Sequence, residues 1–496
     1  MTHLSRRQFT AALGVAAAVT TAGAGAAYAA PPARRGGDEL LRRMRVPDGR
    51  STADGPVWSP TPTGFAGVPT AEAPSGAIGG LGGEVVVVRD GSALAEAVLR
   101  EGPTIVLVEG TLTIDPFGTN LRVSSDTSIL GVGRGAEIVG GGFHLDQVAN
   151  VVIRNLTFRD SYVPGDWDGK SDDNDNDGIR VDTSDHVWID HCEFARLGDG
   201  QVDVRKDSTN VTVSWCVLRD HNKTLGVGWT DNVVTTLTLH HLWFSNTHQR
   251  NGSIDNVALC HVYNCLLEGV SSYGMASRGA SQLLVEHSVF DSVRNAIGAS
   301  DPDSRVAQRG NVDDGSWGFW EDTGIDADPA DHYRYTPDPV DELRTLLHRH
   351  AGPHVRRERV PSRIHVAQDG SGDVLSVHAA VGAAARAGHQ VEILVHPGTY
   401  REVVTVWPGL EGLVIRGASG DPEDVVITYD KPAQDWATLT VLAEDVTLAD
   451  LTLENLYEDA DGADRPAHPL RSADETTVLA NVRLLGGDHQ ISDPRD

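Results

Sequence analysis

Residues 151–158 read VVIRNLTF, and the pattern returns as VWIDHCEF at 187–194, VTVSWCVL at 211–218, LTLHHLWF at 237–244, CHVYNCLL at 260–267 and LLVEHSVF at 283–290. Equivalent residues Ile153, Ile189, Val213, Leu239, Val262 and Val285 lie 36, 24, 26, 23 and 23 positions apart. One strand-like run per period in the low twenties predicts an all-β, parallel solenoid, in which each coil buries its face against the next. An immunoglobulin-like sandwich would show shorter, hairpin-linked spacing. The alignment also stacks Leu156, Cys192, Cys216, Leu242, Cys265 and Ser288 in one column, read as an interior ladder of small or apolar side chains. Four cysteines are too few for a disulfide scaffold, and Cys260 falls outside the column. We read Cys192 and Cys216 as buried free thiols; a bridge is the alternative, but strand neighbours in register sit slightly too far apart for relaxed disulfide geometry.

Outward from this core, the one long repeat carries the insertion PGDWDGKSDDNDNDG, a polar loop projecting from the coil. Asp172, Asp173 and Asp175 in it read equally well as solvated surface, whereas Asp177 abuts the next strand. Upstream, SRRQFT followed by a short Ala/Gly-rich apolar run ending Ala27-Tyr28-Ala29 reads as a twin-arginine export signal over 1–29, so the mature protein is expected to be secreted. Residues 30–80, rich in Pro, Gly, Ala and Ser, read as a flexible leader, and the solenoid as 81–355. The helix VDELRTLLHRH is expected to cap the solenoid's open end, where strand edges would otherwise go unpaired. A linker at 356–362 leads to a second β-rich region, 363–496, with one helical segment, LSVHAAVGAAARAG.

A formal net charge of −29, from 70 acidic against 41 basic residues, argues against nucleic acid and against anionic membranes. An acidic substrate would need local help, and residues 177–250 offer it: carboxylates, a lysine and an arginine at strand ends, read as one calcium site beside one catalytic arginine. No GxSxG or HExxH pattern occurs. His191, His221, His240 and His241 sit inside strand patterns and are read as structural hydrogen-bonders.

WIDH at 188–191, DGQVD at 199–203, DHNKT at 220–224 and Gln249-Arg250, together with ILGVGRGAEIVGGGFHL at 129–145, resemble the extracellular pectate lyase family, a right-handed parallel β-helix. The resemblance covers about 80–355 and implies a monomeric, calcium-dependent lyase that cleaves demethylated polygalacturonate by β-elimination. It implies Asp177, Asp199 and Asp203 as calcium ligands, Lys223 as a substrate-binding lysine and Arg250 as the catalytic base. The chemistry is coherent: removing a proton next to a carboxylate calls for an electrophile on that carboxylate, and a hard divalent ion serves. Asp199 and Asp203 would span about 13 Å if extended, so both reach one ion only if Gly200 lets the chain curl. Each aspartate has an alternative reading as turn residue or surface charge. Arginine is normally protonated, so a basic role asks for positive neighbours.

One departure stands out. The family continues its catalytic arginine as R-x-P-x-x-R, whereas Arg250 begins RNGSID, placing Gly252 and Asp255 at the proline and second-arginine positions. Arg278, or Arg205 with Lys206, are candidates to take over that grip on substrate carboxylates, each with an equal reading as surface charge. Rival readings are a pectin-binding β-helix without catalysis, a pectin lyase, and a β-helical glycoside hydrolase using a carboxylate pair.

The C-terminal region resembles the front portion of a pectin methylesterase in VAQDGSGDVLSVHAAV, HPGTYREVV and ADLTLEN, a second, shorter β-helix. The catalytic portion is missing: Pro466 stands where that family has a glutamine, and Gly486-Gly487-Asp488-His489 where it has G-x-Q-D. No methylesterase activity is expected from it.

Overall fold

The computed structural model describes residues 32–47, 50–171, 174–354, 359–430, 437–457 and 468–495. The export signal at 1–29, Asp172, Asp173, part of the linker and Pro466 lie outside them. The strands build a right-handed parallel β-helix of about 15 turns in all. Ten strands from Glu84–Val88 to Arg305–Arg309 form one sheet, the repeat face, whose hydrogen-bonded neighbours are all parallel. Its register is that of the sequence repeat: Ile153 pairs with Ile189, then Val213, Leu239, Val262 and Val285 in turn. These side chains are buried in one continuous core, as are Leu156 and the three cysteines of the column.

Each rung turns its corner at the fifth residue of the pattern. Asn155, His191, Trp215, His241, Asn264 and His287 all adopt left-handed φ angles between 47 and 61°, a conformation in which Asn and His are enriched. After this corner a flank face follows (Thr157–Arg159, Glu193–Ala195 and the first halves of Val217–Gly228 and Trp243–Asp255). Then comes a site face: Ile179–Asp182, Gly200–Arg205, the second halves of those two long strands, and Met275–Arg278. The free thiols bear out the bland reading of the column, for Cys216 Sγ accepts the Cys192 N–H at 3.3 Å and no bridge forms.

Two expectations are corrected. Residues 32–80 are not a flexible leader: a helix (Pro32–Met44), a small hairpin and a 3-10 turn (Gly64–Gly67) run as a strap along the repeat face, burying Leu40, Met44, Val57, Trp58 and Phe65. Their Pro/Gly-rich composition hides this because the strap is held by backbone hydrogen bonds to rung side chains rather than by its own periodicity. Asp54 receives the Tyr263 hydroxyl, Phe65 N–H reaches Thr238, Ala66 N–H reaches Thr212, Gly79 N–H reaches Asn150 and Gly80 N–H reaches Ser128. Nor does the Val340–His350 helix cap an end. Its buried Leu343, Leu346 and Leu347 join Trp215, Leu266 and Val289 on the outside of the solenoid, and Arg344 pairs with Glu268, Asp291 and Asp314. The plug at the first turn is the shorter Gly91–Ala97 helix, capped by Asp90, which drives Leu94, Ala97 and Val98 into the core.

Residues 363–495 form a second parallel stack with its own core of Ile393, Ile415, Ile427, Leu448 and Leu453 among others. Its Val377–Ala387 helix, capped by Ser376 and ended by left-handed Gly388, packs both on its own strands and on the flank face of the first stack.

Candidate active site

On the site face Val202 and Val204 point into the core, so Asp203 and Arg205 between and beyond them point out. Strand register then lines up two outward rows: Arg180, Asp203, Gly226, Ser253 and Ala276 in one, Asp182, Arg205 and Gly228 in the other, with Asp255 beside Arg278 further along. Asp177 and Asp199 occupy the turns that enter this face. Gly200 brings the carboxylates together: its N–H donates to Asp177 Oδ1 at 2.7 Å, and a Cβ there would lie 2.6 Å from Asp203 Oδ1 and 2.9 Å from Asp177 Oδ1. Gly200 does not curl the chain as expected but opens the strand Gly200–Arg205; what it supplies instead is close approach, since any Cβ there would meet the two carboxylates.

Asp177 is fully buried, ion-paired with Arg180, whose guanidinium also reaches Asp175 at 3.1 Å. Asp203 is almost as buried and accepts the Gly226 N–H at 3.2 Å. Asp199 turns toward Lys223, whose ammonium it pairs with, while its carbonyl accepts from His221 Nε2 at 2.5 Å. Burial first, then the charges of Asp177 and Asp199, hold the Asp203 carboxyl well above the usual carboxylate range. Asp177 is pushed up by burial and by Asp199, against the pull of Arg180. Asp177 and Asp203, with Asp199 on the neighbouring turn, offer hard oxygen donors of the kind a calcium ion takes.

Arg250 stands at the edge of this pocket with a left-handed backbone, φ 59°, its carbonyl fixed by the Thr224 hydroxyl at 2.7 Å. Its positive charge acts directly on Asp203. Lys223 and Arg250 thus come together with the three aspartates as the sequence implied. Arg278 does not join them: it sits on the site face two strands beyond Gly226, beside Asp255 and over the Tyr273 ring. Arg205 and Lys206 both pair with Asp182, at 3.1 and 2.7 Å, in the outward row beside the pocket.

Sequence reasoning missed three contributors. Arg180 neutralises Asp177; its signal was an outward strand position three residues on. Asn222 accepts from Gln249 Nε2 at 2.9 Å and donates to the Trp167 carbonyl at 2.6 Å, tying the inserted loop to the rung. Trp229 is 46% exposed, its six-membered ring reaching back over Gly226, with the Arg205 and Arg250 guanidiniums 5.3 and 5.6 Å from its ring. A lone tryptophan after a glycine carries no pattern that would mark it.

Among the described residues, one tighter group of metal-ligand types occurs elsewhere, Asp54, His240 and His241 under the strap. Hydrogen bonds run from Thr63 to His240, from His240 Nδ1 to His241 Nδ1 at 2.9 Å and from His241 Nε2 to Asp338 at 3.0 Å, while Asp54 separately accepts from the Tyr263 hydroxyl. Both ring nitrogens of His240 and of His241 thus have protein partners, and His191 Nδ1 meets Asp190 at 2.7 Å.

The fold and site together are thus those of a parallel β-helix that gathers carboxylates, a lysine and an arginine on one outward face. Residues 55–342 match the pectate lyase family model, and the chain belongs to that family. It is 41% identical over 233 residues to the pectate trisaccharide-lyase of Thermotoga maritima, covering 44% of this chain and 62% of that one. A pectate trisaccharide-lyase of Bacillus licheniformis is 29% identical over 237 residues, 45% of this chain and 67% of that one. The alignment therefore spans less than two thirds of the Thermotoga relative's length. Among solved structures, a pectate lyase from Bacillus sp. N165 in complex with trigalacturonate superposes with a TM-score of 0.50 at 25% identity, over 59% of this chain and 99% of that one.

Proposed function

We propose that this protein is a secreted, monomeric, calcium-dependent pectate lyase that cleaves demethylated polygalacturonate to unsaturated oligogalacturonides. The observation that carries this reading is the convergence of Asp177, Asp199 and Asp203 beside Arg250 and Lys223. Calcium held by the three aspartates would supply positive charge to a substrate carboxylate and so acidify the neighbouring carbon. Lys223 pairs with substrate carboxylate in exchange for Asp199, and Arg180 keeps Asp177 in place. Arg250, in its neutral form, takes the proton from the carbon next to the carboxylate. The electron pair of that C–H bond becomes a C=C bond, the C–O bond on the adjacent carbon breaks, and the glycosidic oxygen leaves with its electron pair and is then protonated. Water is not added to the sugar, which separates this chemistry from a carboxylate-pair hydrolase.

The test is ultraviolet absorbance of unsaturated uronate on polygalacturonate. Product is expected with calcium, is expected to vanish with chelator, and is expected to fall by a factor of at least about 1000 in Arg250→Ala. Reducing ends without that absorbance, or product that survives both changes, overturn the reading. The methylesterase-like 363–496 region is read as inactive in ester cleavage; methanol release from methylated pectin by the pure protein would contradict that.

A further inference from the structure

Residues 363–495 lie beyond the matched family segment, yet they are built into the site's supports. Asp220, on the rung that carries Lys223, receives two guanidinium nitrogens of Arg386 at 3.0 and 2.6 Å and is also paired with Arg219. Gly382 comes so close that a Cβ would lie 1.8 Å from Asp220 Oδ1. Asn246 on the next rung donates to the His378 carbonyl at 2.9 Å and accepts from Trp407 Nε1 at 3.0 Å. This is a fitted, buried docking surface.

From that surface the second stack grips the 167–169 stretch of the inserted loop by its first two residues. The Trp167 side chain packs with Val403 and Tyr429 and lies edge-on to His378, 4.9 Å between rings. Asp168 pairs with Arg401 at 2.8 Å, both largely covered. On their other side the same residues hold the site: the Trp167 carbonyl accepts from Asn222 at 2.6 Å, and the Gly169 carbonyl accepts from Lys223 Nζ at 3.4 Å. Gly169 has φ 56°, and a Cβ there would lie 2.8 Å from Asp199 Oδ1, so this stretch of loop is pressed against the cation pocket itself.

We propose that the C-terminal stack is a working part of the lyase site. Arg401 and its neighbours are positioning residues: they hold the 161–171 arm so that its carbonyls fix Asn222 and Lys223 in the groove. Without that grip Lys223 keeps only Asp199 and settles into the carboxylate pocket instead of presenting itself to an acidic substrate. This inference rests on Lys223 as a substrate-binding residue.

The test uses the full chain with Arg401→Gln, Asp168→Asn, the two combined, Arg401→Lys, and Arg363→Gln, which breaks an exposed pair with Glu392 away from the arm. Arg401→Gln and Asp168→Asn are each expected to raise KM for polygalacturonate about fivefold with kcat changed less than about twofold. The double variant should lose less than the sum of the two singles, because both remove the Arg401–Asp168 pair while only Arg401→Gln also frees Asp430. Arg401→Lys should recover most of the loss and Arg363→Gln should behave as wild type. Amide hydrogen exchange over 161–171 should quicken in the two single variants while the melting temperature stays put. Unchanged KM and unchanged exchange in Arg401→Gln overturn the proposal, as does a loss shared equally by Arg363→Gln. If wild type yields no unsaturated product, the assigned activity fails, and exchange over 161–171 alone then decides whether the second stack holds the arm.

Discussion

Asp203 is unusual in being both central to the proposed chemistry and unfavourable to the fold. Its carboxyl is buried, crowded by two others, and held above its ordinary value; ionising it costs stability, which is present at low pH and lost as pH rises through the raised value. In chelator at pH 8, Asp203→Asn is therefore expected to raise the melting temperature by about 2–4 °C. With saturating calcium the order should reverse, since the wild-type carboxylate then gains a partner that asparagine serves less well. Calorimetry under the two conditions checks both halves. Trp229→Ala should lower kcat about tenfold with little change in melting temperature, because the ring steadies Arg250 from an exposed position. Asp177, Asp199, Asp203, Lys223 and Arg250 were legible because each sits in a motif with its neighbours. Trp229 was not, because Arg205 and Arg250 come to it from other rungs and only register brings them near, and Arg180 was not, because its local pairing with Asp177 belongs to no motif.

At the scale of elements, the spacing of like residues specified the register outright: a side-chain ladder with a period near 24 admits one pairing that keeps Ile153, Ile189 and Val213 on the same side. Helix placement was less legible. An amphipathic helix such as Val340–His350 announces that one face is buried but not against what, and it went to the solenoid's side. The cysteine ladder gives a direct check on the packing: Cys192, Cys216, Cys260 and Cys265 are all buried and unbridged. A thiol reagent should find essentially none in the native protein and all of them in denaturant, with the same melting temperature with and without reductant.

At the scale of the whole molecule, five buried histidines are held toward their neutral form. Burial pushes His221 from 6.5 down to about 4 and also lowers His191, His240, His261 and His378. A depressed value means stability present above about 6.5 and lost as pH falls toward 4, so the melting temperature should drop steeply across that interval. Glu402, buried under the Val377–Ala387 helix and pushed to about 7, works in the opposite direction, as do Asp177 and Asp203. The two stacks are further tied through Asp220 and Arg386. Arg386→Met should cost on the order of 2 kcal/mol, as expected for a mostly buried pair that leaves Asp220 its second arginine. A single calorimetric transition should then split into two.

The strap over the repeat face runs against the growth of the solenoid: residue 80 meets Ser128, 79 meets Asn150, 66 meets Thr212, 65 meets Thr238 and Asp54 meets Tyr263. Asp54, made long before the coils it fastens, thus finds Tyr263 only after more than two hundred further residues have been made. The strap closes like a zip pulled from its far end back toward the beginning, and its final tooth cannot engage until the coils that carry the aspartates and Arg250 are already stacked in order.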